Sequence, residues 1–174
     1  MKALKYVVMA VLLVCAFAMA GCGGDKFVGT WYAYSGSGYE KMTVEKDNNN
    51  YLIKRDIVLY SRTCKQLGNR KEDWIYSPYV MQSFNSVGHE KNGSHLYINP
   101  LNDFVYVEKD KSLRHGNDFY YKGDEAKKKV LEKVEAYLLK EGDKWKKVAE
   151  GNSLMNKINN VSVVHELKES KKAK

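Results

Sequence analysis

Ser86-Val87-Gly88-His89-Glu90-Lys91-Asn92-Gly93-Ser94-His95-Leu96-Tyr97-Ile98 is the stretch that decides the fold class. Two runs suited to extended backbone flank Asn92-Gly93, and Asn-Gly in that setting is the strongest short-range hairpin signal. The spacing predicts strands over 86–91 and 94–98 joined by a two-residue turn. That register pairs Glu90 with His95 and sends His89 to the other face, because side chains alternate along a strand. His89 and His95 then cannot share an ion, and Glu90–His95 reads as a surface cross-strand pair.

The same pattern continues on both sides. Toward the C-terminus, Asn99-Pro100-Leu101-Asn102 turns the chain into a strand over 103–109. There Phe104 and Tyr106 alternate with Val105 and Val107, so both faces are apolar, one for an interior and one for a neighbouring helix. Residues 114–118 read as a turn and 119–122 as the last strand. Toward the N-terminus, strands are predicted over 28–34, 39–46, 51–60 and 74–81. Met42 and Val44 alternate with Lys41, Thr43 and Glu45, while Ile53, Ile57 and Leu59 share a face with Arg55 among them. Asp47-Asn48-Asn49-Asn50 suits a left-handed turn, and 61–72 reads as a polar, basic loop holding Cys64. Pro78 calls for an edge position or a bulge. With 13 Tyr and only 2 Pro, the composition agrees with a β-rich chain.

After Gly123 the period changes. Asp124 is the expected N-cap, with Glu125 in the first turn. Val130, Val134, Tyr137 and Leu138 keep helical spacing, Leu131 widens the stripe, and Lys and Glu fill the other side. Gly142 is the expected stop. Residues 143–160 fit a second short helix or a strand, 161–167 look extended, and 168–174 read as a disordered basic tail. Eight antiparallel strands followed by a helix solve the edge problem by closing into a barrel with the helix on one side. The expected fold class is therefore mainly β: an eight-stranded antiparallel up-and-down barrel over 27–123, with 124–167 packed on it.

The N-terminus supplies a location. Lys2 and Lys5 precede an apolar run from Tyr6 to Ala20, which has the length of a signal-peptide core and is short for a spanning helix. It ends in Met19-Ala20-Gly21-Cys22, which resembles the lipobox of bacterial lipoproteins, with Met19 where Leu is usual. The resemblance implies that residues 1–21 are removed, that Cys22 carries acyl chains such as palmitate, and that 22–26 form a tether. Such chains bind a bilayer at about 0.8 kcal/mol per buried methylene. Gly23, rather than Asp, follows Cys22, which in that family leans toward the outer membrane. Cys15 leaves with the leader, so Cys64 has no intramolecular partner and a disulfide framework is excluded.

The chain carries 29 Lys+Arg and 21 Asp+Glu, net +8, of which Lys2 and Lys5 would be lost with the leader. For an exported protein this balance reads as solubility rather than nucleic-acid binding, with anionic envelope polymers or lipids as the neighbours.

Phe27-Val28-Gly29-Thr30-Trp31-Tyr32 opens the first strand, and its Gly29-x-Trp31 resembles the signature that opens lipocalins and related calycins. The resemblance implies that Gly29 and Trp31 form a barrel floor, with a basic side chain from a late strand, Lys122 or Arg114, lying on the ring. It also implies a cavity for one small apolar or amphiphilic ligand. The lining candidates are Met42, Val44, Ile53, Ile57, Tyr76, Leu96, Phe104, Tyr106 and Phe119, side chains that otherwise simply fill a core.

A second likeness points to protein partners. Tyr34-Ser35-Gly36-Ser37-Gly38-Tyr39 is similar to the Ser-Gly loop that some lipoprotein lysozyme inhibitors insert into the enzyme's cleft. Phe119-Tyr120-Tyr121-Lys122-Gly123-Asp124-Glu125 also resembles a segment of that family, although their disulfide is absent here. No cofactor is called for. No Cys/His set has metal-ligand spacing, no Gly-rich phosphate loop links a strand to a helix, and no Ser-His-Asp set is legible. Enzyme activity is not expected.

Overall fold

The computed structural model describes residues 25–167. The expected leader, the lipidation site at Cys22, most of the tether and the tail over 168–174 lie outside them. The chain is mainly β with one C-terminal helix. Eight strands form a closed ring: β1 (Gly29–Tyr34), β2 (Gly38–Asp47), β3 (Asn50–Gly68), β4 (Lys71–Lys91), β5 (His95–Asn99), β6 (Asn102–Val107), β7 (Ser112–His115) and β8 (Asp118–Lys122). Each pairs antiparallel with its neighbours in sequence, and β1 meets β8 through Trp31↔Lys122 and Tyr32↔Tyr121. Helix α1 (Asp124–Gly151) follows, and β9 (Lys157–Val163) adds to β4 in parallel.

Several expected boundaries differ. Residues 74–81 and 86–91 belong to one strand, β4, and 61–72 is not a loop. Instead β3 and β4 run on together past the ring as a long hairpin arm, from Leu59↔Tyr79 out to Gly68↔Lys71. The arm turns at Asn69-Arg70, both with left-handed φ (47° and 57°), the conformation a two-residue hairpin turn requires. A register shift between Val58↔Val80 and Ile57↔Gln82 leaves Met81 as the extra residue of a bulge. That bulge exchanges the faces of β4 and hides its continuity from any period-two reading. The turn expected over 114–118 is shorter, because Ser112–His115 is a strand.

The hairpin that announced the fold has a different register. Lys91 pairs with His95 and Glu90 with Leu96, so the turn is Asn92-Gly93-Ser94. The Ser94 carbonyl accepts the Tyr106 N–H at 2.7 Å, which draws Ser94 out of the two-stranded ladder. His95 Nδ1 instead sits 2.9 Å from the Asp103 carboxylate across β6.

Two cores result from the two faces of the long strands. One fills the ring: Phe27, Trp31, Ala33, Met42, Val44, Tyr51, Ile53, Leu96, Phe104, Leu113 and Tyr120. The other lies outside it, where Tyr32, Tyr39, Val58, Tyr60, Trp74 and Tyr76 meet Ala126, Val130, Val134, Leu138 and Ala149 of α1 and Ile158 of β9. The arm enters this second core through Tyr60, Trp74 and Tyr76, while Arg62, Cys64 and Gln66 near its tip stay exposed. The helix packs on β1, β2, β8 and β9 rather than on β6, so Val105 and Val107 stay half-buried.

The helix also departs from expectation at both ends. Gly123 occupies the N-cap and Asp124 is already helical, where its carboxylate complements the N-terminal dipole. Gly142 does not stop it. A Cβ there would lie 2.7 Å from Val161 Cγ1, so the glycine lets β9 cross close over the helix, which continues to Gly151. The ambiguous stretch is thus helix over its first half, to Gly151, and the extended one begins earlier, at Lys157.

Candidate functional site

The ring has two unlike ends. At the end where the chain enters, Trp31 is fully buried and its indole Nε1 donates to the Phe27 carbonyl at 2.8 Å. The cation on its face is Lys122, whose Nζ lies 4.6 Å from the ring centroid and donates to the carbonyls of Lys26 (3.1 Å) and Val28 (2.7 Å). Burial holds this ammonium below its usual range. Gly29 makes the arrangement possible: its φ is +135°, and a Cβ would lie 3.2 Å from the Lys122 stem. Phe27, Tyr51 and Tyr106 close the floor edge-to-face, with Phe27–Tyr51 centroids 5.5 Å apart.

Asp25 clamps this end. Its carboxylate accepts from Lys46 Nζ (2.8 Å), Tyr51 OH (2.6 Å) and the Phe27 N–H (3.0 Å). Burial alone would raise its pKa, but these bonds outweigh it and hold the carboxyl below the ordinary 3.8. A carboxylate depressed in the folded state contributes stability that is complete above its unfolded value and is lost as pH falls through the folded one. Thermal stability is therefore expected to decline on acidification below about pH 4, more steeply in the natural chain than in Asp25→Asn. Parallel curves for the two would remove the clamp from the account.

The middle of the ring is filled. Trp31, Met42, Leu96, Phe104 and Leu113 each have 0% of their surface open to a water-sized sphere, so no void of that size touches them. Of the nine lining candidates, Met42, Val44, Ile53, Leu96 and Phe104 enter this core and Tyr106 packs at its margin. Three do not. Tyr76 lies beyond the bulge and faces the helix. Phe119 is 40% exposed, because the β1–β8 register gives the inward place to Tyr120. Ile57 is half-buried at the far mouth.

That mouth holds an ion pair of which the sequence reading has one member, Arg55 on the Ile53 face, and to which it gives no role. Arg55 rises from β3 with Nη2 2.7 Å from Glu40 Oε2 and Nη1 3.1 Å from Asn102 Oδ1. Tyr120 OH donates to the same Glu40 oxygen at 2.7 Å. The guanidinium carbon lies 5.4 Å from the Phe104 centroid and 6.0 Å from that of Phe84. Burial would lower the Arg55 pKa, but the Glu40 carboxylate holds it raised, and burial beside that carboxylate pushes Tyr120 far up. Among the described residues Arg55 Nε is buried and has no acceptor. Glu40 continues the alternation of Met42 and Val44, so its inward position was readable once Arg55 was noticed on the same side.

Elsewhere the titratable groups pair locally. His165 bridges Tyr60 OH (2.9 Å) and Glu135 (3.2 Å), and Arg62 stacks 3.9 Å over Trp74. Cys64 is exposed. No cluster of three His, Cys, Asp or Glu that could hold a metal occurs among the described residues, and none of their helices is long and apolar enough to cross a membrane. The fold thus defines a class, a closed up-and-down β-ring with an external helix. Comparison with known proteins finds no matching family model, no matching curated protein and no matching solved structure.

Proposed function

We propose that this is an exported lipoprotein of the cell envelope, anchored by acyl chains on Cys22, whose lipocalin-like barrel binds an amphiphile at its mouth rather than in its depth. The observation that carries the reading is Arg55. A charged side chain held between two phenyl rings, with one buried N–H lacking an acceptor, suits a ligand that brings an oxygen on an apolar stem. Access is lateral. β5 pairs with β4 only over His89–Lys91, so the wall beside Phe84 is thin, and Phe84 is 37% exposed.

The test uses the soluble chain beginning at Gly23 and a dansyl-labelled fatty acid as probe. The emission should rise and shift to the blue on binding, and Arg55→Gln should weaken the affinity about tenfold, the equivalent of one charged hydrogen bond. Circular dichroism confirms that the variant folds. Emission unchanged at every protein concentration would reject the site.

One observation favours the alternative, an envelope protein that engages a protein partner through loops as lysozyme inhibitors do. The turn between β1 and β2, and the arm over 61–72, both lie at the end opposite Lys26, where the chain enters. A lysozyme assay with added protein separates the two readings.

A further inference from the structure

β4 is hydrogen-bonded on both sides only at its ends. β9 leaves it at Tyr76↔Val163, and β5 joins it at His89↔Tyr97; between them its one neighbour among the described residues is β3. The last bond on the open side runs from Val164 N–H to the Tyr76 carbonyl, so alternate residues from Tyr76 onward aim their peptide groups outward. Pro78 falls in that set, where its missing N–H removes no bond to β3. The bulge at Met81 follows. Pairing by a strand beyond this edge is therefore blocked above and free over 82–88.

This window is chemically unlike the rest of the surface. Residues 74–88 contain no Asp, Glu, Lys or Arg, in a chain that is 29% charged with a net charge of +8. Within and beside it Val80, Met81, Phe84 and Val87 are 44%, 49%, 37% and 58% exposed. Natural edges are usually guarded by charge, and this one is guarded only at one end.

We propose that 82–88 of β4 pairs antiparallel with the same segment of a second copy, joining two rings through one continuous sheet. A two-fold axis brings each edge residue against an uncharged one, so the positive charge that opposes other self-contacts is absent where the copies touch. Pro78 and the bulge on one side, and β5 on the other, limit the pairing to one partner, so the assembly closes as a dimer instead of growing into a fibre. The inference does not depend on the ligand reading.

The experiment is light scattering after size exclusion on the soluble chain beginning at Gly23. A mass twice that of the chain is expected at ~100 µM, a concentration that populates even a weak dimer. Asn85→Lys combined with Val87→Lys places like charges across the axis at exposed positions and should return the mass to that of one chain, with an unchanged circular dichroism spectrum. In a Cys64→Ser background, Asn85→Cys, which the two-fold axis sets against its own copy, should form a covalent dimer on oxidation, whereas Lys54→Cys, on the outer face of β3, should not. Arg55→Gln, which weakens the probe, should leave the dimer intact. A single-chain mass for the natural sequence at ~100 µM, or equal cross-linking at the two cysteine positions, would overturn the proposal.

Discussion

Replacing Trp31 by alanine is expected to cost about 3–5 kcal/mol, the upper range for deleting a buried aromatic side chain. The indole has 0% exposure, so nothing can enter the space it leaves without the floor collapsing. Its Nε1–H satisfies the Phe27 carbonyl, and its face carries the Lys122 ammonium, which is itself partly desolvated. Removing the ring leaves the buried Phe27 carbonyl without its donor, while the exposed Lys122 keeps its bonds to the Lys26 and Val28 carbonyls and loses only the ring face. A domain of this size holds only about 5–15 kcal/mol in total. Urea unfolding followed by circular dichroism should therefore show a midpoint lowered by a large fraction, with Lys122→Met losing less. A loss below about 1 kcal/mol would mean that the floor is not built around Trp31.

Cys22→Ser should abolish incorporation of labelled palmitate and move the protein from the membrane to the soluble fraction. This is the largest effect expected of any single substitution here, because under the proposed anchoring each acyl methylene would contribute about 0.8 kcal/mol and two or three chains would act together. No folded interaction competes with that sum. Natural chain that carries no label would remove the anchor and, with it, the envelope location.

The two predictions differ in where their warrant lies. Lys2, Lys5, the apolar run and Cys22 sit in one unbroken stretch outside the described residues, so the proposed anchor rests on the sequence alone. The floor is legible in part: Gly29 and Trp31 stand two positions apart in sequence, but Lys122 is brought to them by ring closure. The sequence names it only as one of two candidates. Period-two alternation correctly places Met42, Val44, Ile53, Leu96 and Phe104 inward. It fails for Tyr76 because one extra residue, Met81, exchanges the faces of β4, and an extra residue leaves no mark in composition. It fails for Phe119 because inward and outward aromatic residues alternate there, and only pairing with β1 chooses between Phe119 and Tyr120. The arm over 61–72 was mistaken for a loop because its polar side chains face water while Trp74 and Tyr76, across the hairpin, supply the apolar cover. Gly142 misled for a related reason: the glycine serves the close passage of Val161, a contact 19 residues away in the chain.

The position of β9 has a consequence for how the molecule is assembled in time. Tyr60, Trp74 and Tyr76 find their cover only in segments that follow residue 124, and Ile158 is among the last to be made. The ring can close once Lys122 has been delivered, but until the final strand arrives the hairpin remains a ladder of aromatic residues facing water. A polypeptide cut short before Val163, by a protease or a premature stop, would thus keep a closed ring and yet expose its stickiest surface. Strand β9 acts as the clasp, and its loss is expected to make the β-domain aggregate.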